Sequence, residues 1–249
     1  MRKLILLTML TWGGLLHAHE PAASEKIEIT VNGVSFNMVK VSGGTFFMGD
    51  TKGDSDEKPV HRVTVSDYYI GETEVTQDLW TAVMGSNPSH WRGGKLPVEN
   101  VSWEDVQSFI QQLNDQTNKN FRLPTEAEWE FAAKGGNASK GYQYSGSNNI
   151  DNVAWYYSNS KNKTHEVATK QPNELGIYDM SGNVWEWCQD YYGLYTQDEQ
   201  LNPTGPASGT RCVKHGGGWN NLAISCRPAN RENFSTAFSC NYLGFRLVL

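Results

Sequence analysis

"YDMSGNVWEW", residues 178–187, sets Asp179, Ser181, Asn183 and Glu186 among Tyr178, Met180, Val184, Trp185 and Trp187. Two readings of so mixed a segment stand side by side. It is a tight turn between buried tryptophans, or it is a turn that offers Asp179, Asn183 and Glu186 to calcium, which takes several oxygens including backbone carbonyls. Around it, residues 136–249 show no long helical pattern; glycines, asparagines and aromatic residues alternate with short apolar runs. That composition predicts many turns and short strands, with much of the backbone satisfied by side chains or ions.

Upstream the signals are more regular. "IEITVNGVSFNMVKV" alternates apolar and polar residues on both sides of Asn32-Gly33, a strong hairpin signal. "GGTFFMGD" continues as an extended segment, "TKGDSDEKP" reads as a polar loop, and "HRVTVSDYYIGETEV" returns to strand-like alternation. Three helices follow from their caps. Thr76 opens "TQDLWTAVMG", which Gly85 stops. Ser102 and Asp105 stand in capping-box spacing ahead of Val106, Phe109, Ile110 and Leu113, an inward stripe. Thr125 and Glu128 repeat the box before Gly135 ends the third helix. The class is therefore α+β with a large irregular fraction.

The 249 residues suit one large domain, since no linker divides them and aromatic residues run evenly from Trp80 to Phe245. Residues 1–18 carry Arg2 and Lys3, then an apolar run from Leu4 to Leu16, then Ala18, the pattern of a cleaved export signal. The run is too short for a membrane span. An exported protein of the periplasm, cell surface or extracellular space is expected, with residues 19–37 as a spacer and first hairpin strand, and a domain over 38–249. Loss of Arg2 and Lys3 moves the formal charge from −6 to −8. An acidic chain without a basic stripe is a poor nucleic-acid binder. Export permits disulfides among Cys188, Cys212, Cys226 and Cys240, and the spacing does not choose a connectivity. Cys226 is expected to be structural, with Cys188 as its partner.

Glu99, Glu104, Glu126, Glu128 and Glu130 are expected to cap helices or lie on solvated faces rather than form an acid–base pair. His61, His90, His165 and His215 lack the spacing of a zinc motif, and neither a nucleophile elbow nor a phosphate loop is present.

"GGTFFMGD", "EVTQDLW", "PVENVSWEDV", "FRLPTEAEWEFAAKGG", "GIYDMSGNVWEWC", "HGGGW" and "GFRLV" occur in the order that resembles the formylglycine-generating enzyme, or sulfatase-modifying factor, family. The resemblance covers residues 38–249 and implies one compact domain of C-type-lectin-like fold with bound calcium. Carried over by position, one calcium set falls on Asn152, Val153, Asn159 and Lys161. Asn159 stands where a carboxylate is usual. The other set falls on Asp179, Gly182, Val184 and Glu186. The active enzymes hold copper(I) with two cysteines, because soft thiolates suit that ion. Here those positions are Asn221 and Cys226, so the oxidase mechanism is expected to fail. A copper-dependent, sulfatase-activating oxidase is the alternative reading.

The C-terminal segment also resembles the variable proteins of diversity-generating retroelements. Randomising both adenines of an AAC codon never yields Lys, Glu, Gln, Met or Trp. Between Asn220 and Tyr242 only Glu232 belongs to that forbidden set. A variable, ligand-binding region is therefore expected over about 219–243. Leu222, Ala223, Ile224, Ser225, Pro228, Phe234, Phe238 and Tyr242 would make its contact patch, while Trp219, Arg227, Arg231, Gly244, Phe245 and Arg246 would form the fixed frame. Exposed apolar anchors on a rigid frame supply contact at low entropic cost. The function expected is a non-catalytic binding or display protein for an unknown protein or surface ligand, with calcium as a structural cofactor.

Overall fold

The computed structural model describes residues 25–249; the expected export signal at 1–18 lies outside them. Strand β1 (Lys26–Val31) turns at Asn32 and Gly33, both at positive φ, into β2 (Val34–Val41), and the two pair antiparallel in register from Lys26–Val39 to Val31–Val34. Next come β3 (Gly44–Met48), β4 (His61–Val65) and β5 (Tyr68–Gly71). The division expected at residue 38 falls inside β2, where Met38 is fully buried, so the hairpin is continuous with the domain.

The three capped helices form as the sequence dictates. Helix α1 (Gln77–Met84) starts with Thr76 accepting from the Leu79 amide and stops at Gly85 in left-handed conformation. In α2 (Trp103–Thr117) and α3 (Glu126–Ala133) both halves of the capping box are made, by Ser102 with Asp105 and by Thr125 with Glu128. Each such cap is worth about 1 kcal/mol. Val106, Phe109, Ile110 and Leu113 of α2 face inward, and Trp80 of α1 stacks on Phe109 at 5.0 Å.

Beyond α3 the chain runs to Val184 with only the short α4 (Ile150–Val153) and a 3-10 turn. Four strands follow: β6 (Trp185–Tyr191), β7 (Gln200–Leu201), β8 (Arg211–His215) and β9 (Arg231–Ser235), and then β10 (Leu243–Gly244). The sheets are ordered β1-β2-β5, β3-β4-β7 and β10-β6-β8-β9. One core lies among α1, α2 and the tryptophans of β6, and a second surrounds Trp129 and Phe131 of α3. The final residues close both, since Val248 exchanges backbone bonds with Arg122 and Leu249 with Tyr69.

Helix α3 corrects one expectation. Glu126 and Glu130 on it, and Glu99 before α2, are buried rather than solvated. The helix is covered on every side, by β3, β4, β6 and β8. Glu126 and Glu130 meet cationic partners, whereas Glu99 has only backbone amides and burial raises it to about 7. Glu126 receives Arg231 at 2.6 and 2.8 Å, Glu130 receives Lys134 and the Gly49 amide, and Glu99 receives the Trp91 amide.

Candidate functional site

The site is built where the two framework motifs meet. Gly182 donates to the Gly216 carbonyl and Trp219 to the Asn183 carbonyl, both at 2.7 Å. These bonds stitch the turn before β6 to the turn after β8. Gly217 has φ +71°, and a Cβ there would sit 2.8 Å from Cys226 Sγ, so the turn crosses directly over the thiol.

Asn221 is committed to this turn. Its Oδ1 accepts from Trp185 Nε1 at 2.8 Å and from the Gly218 amide at 3.1 Å, and its carbonyl accepts from the Tyr157 amide at 2.9 Å. Cys226 is fully buried with Tyr144, Ile150, Val153 and Ala154, and burial pushes its thiol up to about 12. Its sulfur donates to the Leu222 carbonyl, at 3.8 Å. One protonated thiol and one amide do not fit copper(I), which needs two thiolates.

The expected disulfide is not formed. Cys188, Cys212, Cys226 and Cys240 are all free thiols. Cys188 packs with Met48, Val63 and Val213 around Trp129, whereas Cys226 belongs to the separate cluster beside α4. Burial pushes Cys212 up to about 12 as well.

The two calcium sets behave differently. In the first, the Asn159 amide closes its own turn: Oδ1 accepts from the Tyr156 amide, while Nδ2 donates to the Ala154 carbonyl and Asp151 Oδ1. Val153 lies in α4 and Lys161 has φ +57°. With the Asn159 side chain spent and no carboxylate in the set, Asn152, Val153, Asn159 and Lys161 do not fit the ion. In the second, Asp179 is buried, and Oδ2 accepts from the Ala168 amide while Oδ1 has no partner. Glu186 is held by Arg246 through two bonds of 2.6 Å and by Trp129 Nε1. Glu74 lies close by and takes Asn183 and the Val184 amide. Burial first, and mutual repulsion with the neighbouring carboxylates second, raises Glu74; burial raises Asp179 to about 6. Three buried carboxylates against one guanidinium leave surplus negative charge. The unpaired Asp179 oxygen fits a cation, but both Glu186 oxygens are taken by Arg246 and Trp129, so the Gly182 and Val184 carbonyls would have to complete the set. No group of three or more acidic, histidine or cysteine side chains among the described residues is arranged for a metal, so such a site depends on those carbonyls.

The expected contact patch divides by exposure. Leu222, Ile224 and Phe238 are 63%, 56% and 39% exposed, large values for apolar side chains. Ala223 and Ser225 are partly exposed on the 3-10 turn Ala223–Cys226. Phe234 and Tyr242 are half-buried against the larger core, with the Phe234 and Phe238 ring centroids 4.3 Å apart and the rings tilted by 46°. Pro228 is a correction: it is buried, because Arg227 beside it is drawn inward by Glu57. Arg227, Arg231, Gly244, Phe245 and Arg246 are buried, and Trp219 is partly so, its Nε1 donating to the Asn241 carbonyl.

Two features of the site have no sequence signal. Tyr157, 58% exposed, is brought beside the patch by its bond to Asn221. Lys214 lies fully buried beneath it, 3.5 Å from the Trp185 ring centroid and 4.3 Å from that of Phe234, and donates to Glu232. Burial pushes Lys214 down to about 8.

Residues 28–249 match the sulfatase-modifying factor enzyme 1-like domain, and the chain belongs to that family. Among curated relatives it is 38% identical to chaperone protein LppX of Paenibacillus barcinonensis, over 85% of this chain and 87% of that protein. It is 28% identical to the formylglycine-generating enzyme of Streptomyces coelicolor, over 84% of this chain and 87% of the enzyme. The chain spans only 41% of serine/threonine-protein kinase pkn1 of Chlamydia pneumoniae, with which it shares 30% identity. Among solved structures it is similar to Treponema denticola variable protein 1, with TM-score 0.85 and 38% identity over 92% of this chain and 99% of that one.

Proposed function

We propose that this chain is an exported, non-catalytic binding or display protein whose ligand is met by the loop surface around residues 219–243. The observation that carries this reading is the contrast between exposed Leu222, Ile224 and Phe238 and the buried arginines that hold the same segment. Loops on a rigid scaffold are where binding residues concentrate. The likeness to a variable protein supports the further reading that the segment is diversified. Sequencing the 3′ end of the gene and its flank across isolates tests it. Substitutions clustered at adenine positions of codons 222–242, beside a template repeat and a reverse transcriptase gene, are expected; uniform codons and no repeat refute diversification.

The alternative, a copper-dependent oxidase that converts a sulfatase cysteine, needs a second thiolate where Asn221 stands. A Cys-x-Pro-x-Arg peptide supplied with copper(I) and oxygen is expected to remain unmodified beside an active control. The likeness to a chaperone protein favours a second binding reading, in which exposed apolar side chains hold a client chain. Suppression of the aggregation of a denatured test protein would distinguish it. Calcium is proposed as a structural cofactor at the Asp179 turn, where it would neutralise surplus carboxylate charge. Thermal unfolding with calcium and with chelator is expected to show a higher midpoint with the ion.

A further inference from the structure

A cleft opens where β6 ends. After Tyr191 the chain leaves the sheet, and the stretch Pro203–Pro206 folds back over Asp190. Gly205 makes this closure possible: its φ is +68°, and a Cβ would lie 2.9 Å from Asp190 Cβ and 3.0 Å from the Tyr191 carbonyl oxygen. Beneath is a cleft of about 300 Å³ walled by Met48, His61, Leu194 and Tyr195, with Asp190 on its surface. The His61 and Tyr195 rings lie 4.7 Å apart.

Asp190 is 3% exposed, yet among the described residues no cationic side chain pairs with it, Arg122 and Arg231 being paired with Glu128 and Glu126. One carboxylate oxygen accepts from the Glu126 amide at 3.0 Å, and the other takes no partner among the described residues. Arg231 borders the same cleft but is spent on Glu126 and on the Asp56 and Gly193 carbonyls. Arg122 is likewise spent, paired twice with Glu128. A buried carboxylate without a counter-ion is costly, and a ligand that supplies the charge recovers that cost. A single free oxygen suits a point-like ammonium better than a guanidinium, whose fork seeks two. Aromatic and proline walls suit the carbon chain behind the charge.

We propose that this cleft binds an alkylammonium group, with Asp190 as its counter-ion and the Tyr195, Leu194 and proline walls enclosing its carbon chain. Arg231 joins this cleft to the 219–243 segment, but the exposed side chains of that loop surface, Leu222, Ile224 and Phe238, do not line it.

The charged and titratable groups facing Asp190 are Glu126 and Glu128 of α3, Arg231 of β9, His61 of β4, Arg122, Tyr191 and Tyr195, and the Cys188 and Cys212 thiols of β6 and β8. Burial first, and the Glu126 charge second, pushes the empty-site Asp190 up to about 8. Ammonium binding therefore requires Asp190 to lose its proton. Affinity should rise by about tenfold per pH unit from pH 6 to 8, then level off.

Calorimetric titration of the whole protein with n-butylammonium chloride tests this. Roughly millimolar affinity is expected for so small a ligand, with release of about one proton at pH 7, read from the dependence of heat on buffer. n-Butanol should bind at least tenfold more weakly, and Asp190→Asn, which keeps an acceptor for the Glu126 amide, should lose at least tenfold. Nα-acetyl-lysine methylamide separates the sources: tighter binding than butylammonium identifies a lysine side chain, and weaker binding a free amine. Absence of binding by both cations, equal binding of butanol, or unchanged affinity in Asp190→Asn overturns the proposal. If that variant misfolds, the wild-type pH series decides, and a flat affinity between pH 6 and 8 overturns it.

Discussion

Replacing Arg231 with methionine removes one side chain from five partners. The guanidinium donates to both oxygens of Glu126, to the Asp56 carbonyl at 3.1 Å and to the Gly193 carbonyl at 2.9 Å, and it lies over Tyr192 and Tyr195 at 4.6 and 4.2 Å. Without it Glu126 keeps only His215, Tyr195 and its own burial. Breaking a buried pair by removing one partner costs about 3–5 kcal/mol, a large part of the roughly 5–15 kcal/mol that holds such domains. At about 2–4 °C per kcal/mol for a chain of this size, the unfolding midpoint should fall by roughly 6–20 °C. The loss should depend on pH. Burial raises Glu126, but the Arg231 charge and then His215 more than reverse this and hold the carboxyl at about 2, below its ordinary 4.5. A depressed carboxyl contributes stability that is complete above about 4.5 and is lost as pH falls towards about 2. The deficit of Arg231→Met against wild type should therefore shrink between pH 7 and pH 3. Calorimetry over that range, with Glu126→Gln/Arg231→Met alongside, measures it; the double variant should recover stability because no bare carboxylate remains. A fall of less than about 2 °C at pH 7, or a deficit unchanged by acid, would refute the clamp as the anchor of the C-terminal segment.

Leu222→Ser, Ile224→Ser and Phe238→Ser should each leave stability within about 0.5 kcal/mol while weakening ligand capture, because these side chains face solvent. Loss of the fold in any of them would place that side chain in the core instead. Wild-type protein should not compete with a chelator for copper(I), whereas a bound equivalent would show Cys226 to be accessible. Asp190 is raised from 3.8 to about 8, so its contribution to stability is complete below about 4 and is lost as pH rises to about 8. Asp190→Asn should flatten that part of the stability profile, and an unchanged slope would show that the carboxyl is hydrated.

The local signals in the sequence were sufficient for the helices. Thr76, Ser102 and Thr125 cap where their spacing says, because a cap and its partner amide are three residues apart. The hairpin at Asn32-Gly33 is equally local. The buried carboxylates were not legible that way: Glu126 meets Arg231 105 residues on, and Glu57 meets Arg227 170 residues on. One sign of their burial was present in "EAEWEFAA", where Trp129, Phe131, Ala132 and Ala133 surround the helix with apolar surface. Acids on such a helix need partners rather than water. The contact patch was half legible for a related reason. Codon chemistry marks which residues a position tolerates, but whether Pro228 or Tyr242 turns inward depends on where Arg227 and the core draw the chain.

The three arginine clamps also impose an order on synthesis. Glu57, Glu126 and Glu186 are each translated 60 to 170 residues before Arg227, Arg231 and Arg246, which neutralise them. A nascent chain that has made the glutamates but not the arginines would have to bury bare carboxylates to close its core. Closing the core is therefore favoured only once the segment carrying the arginines has emerged.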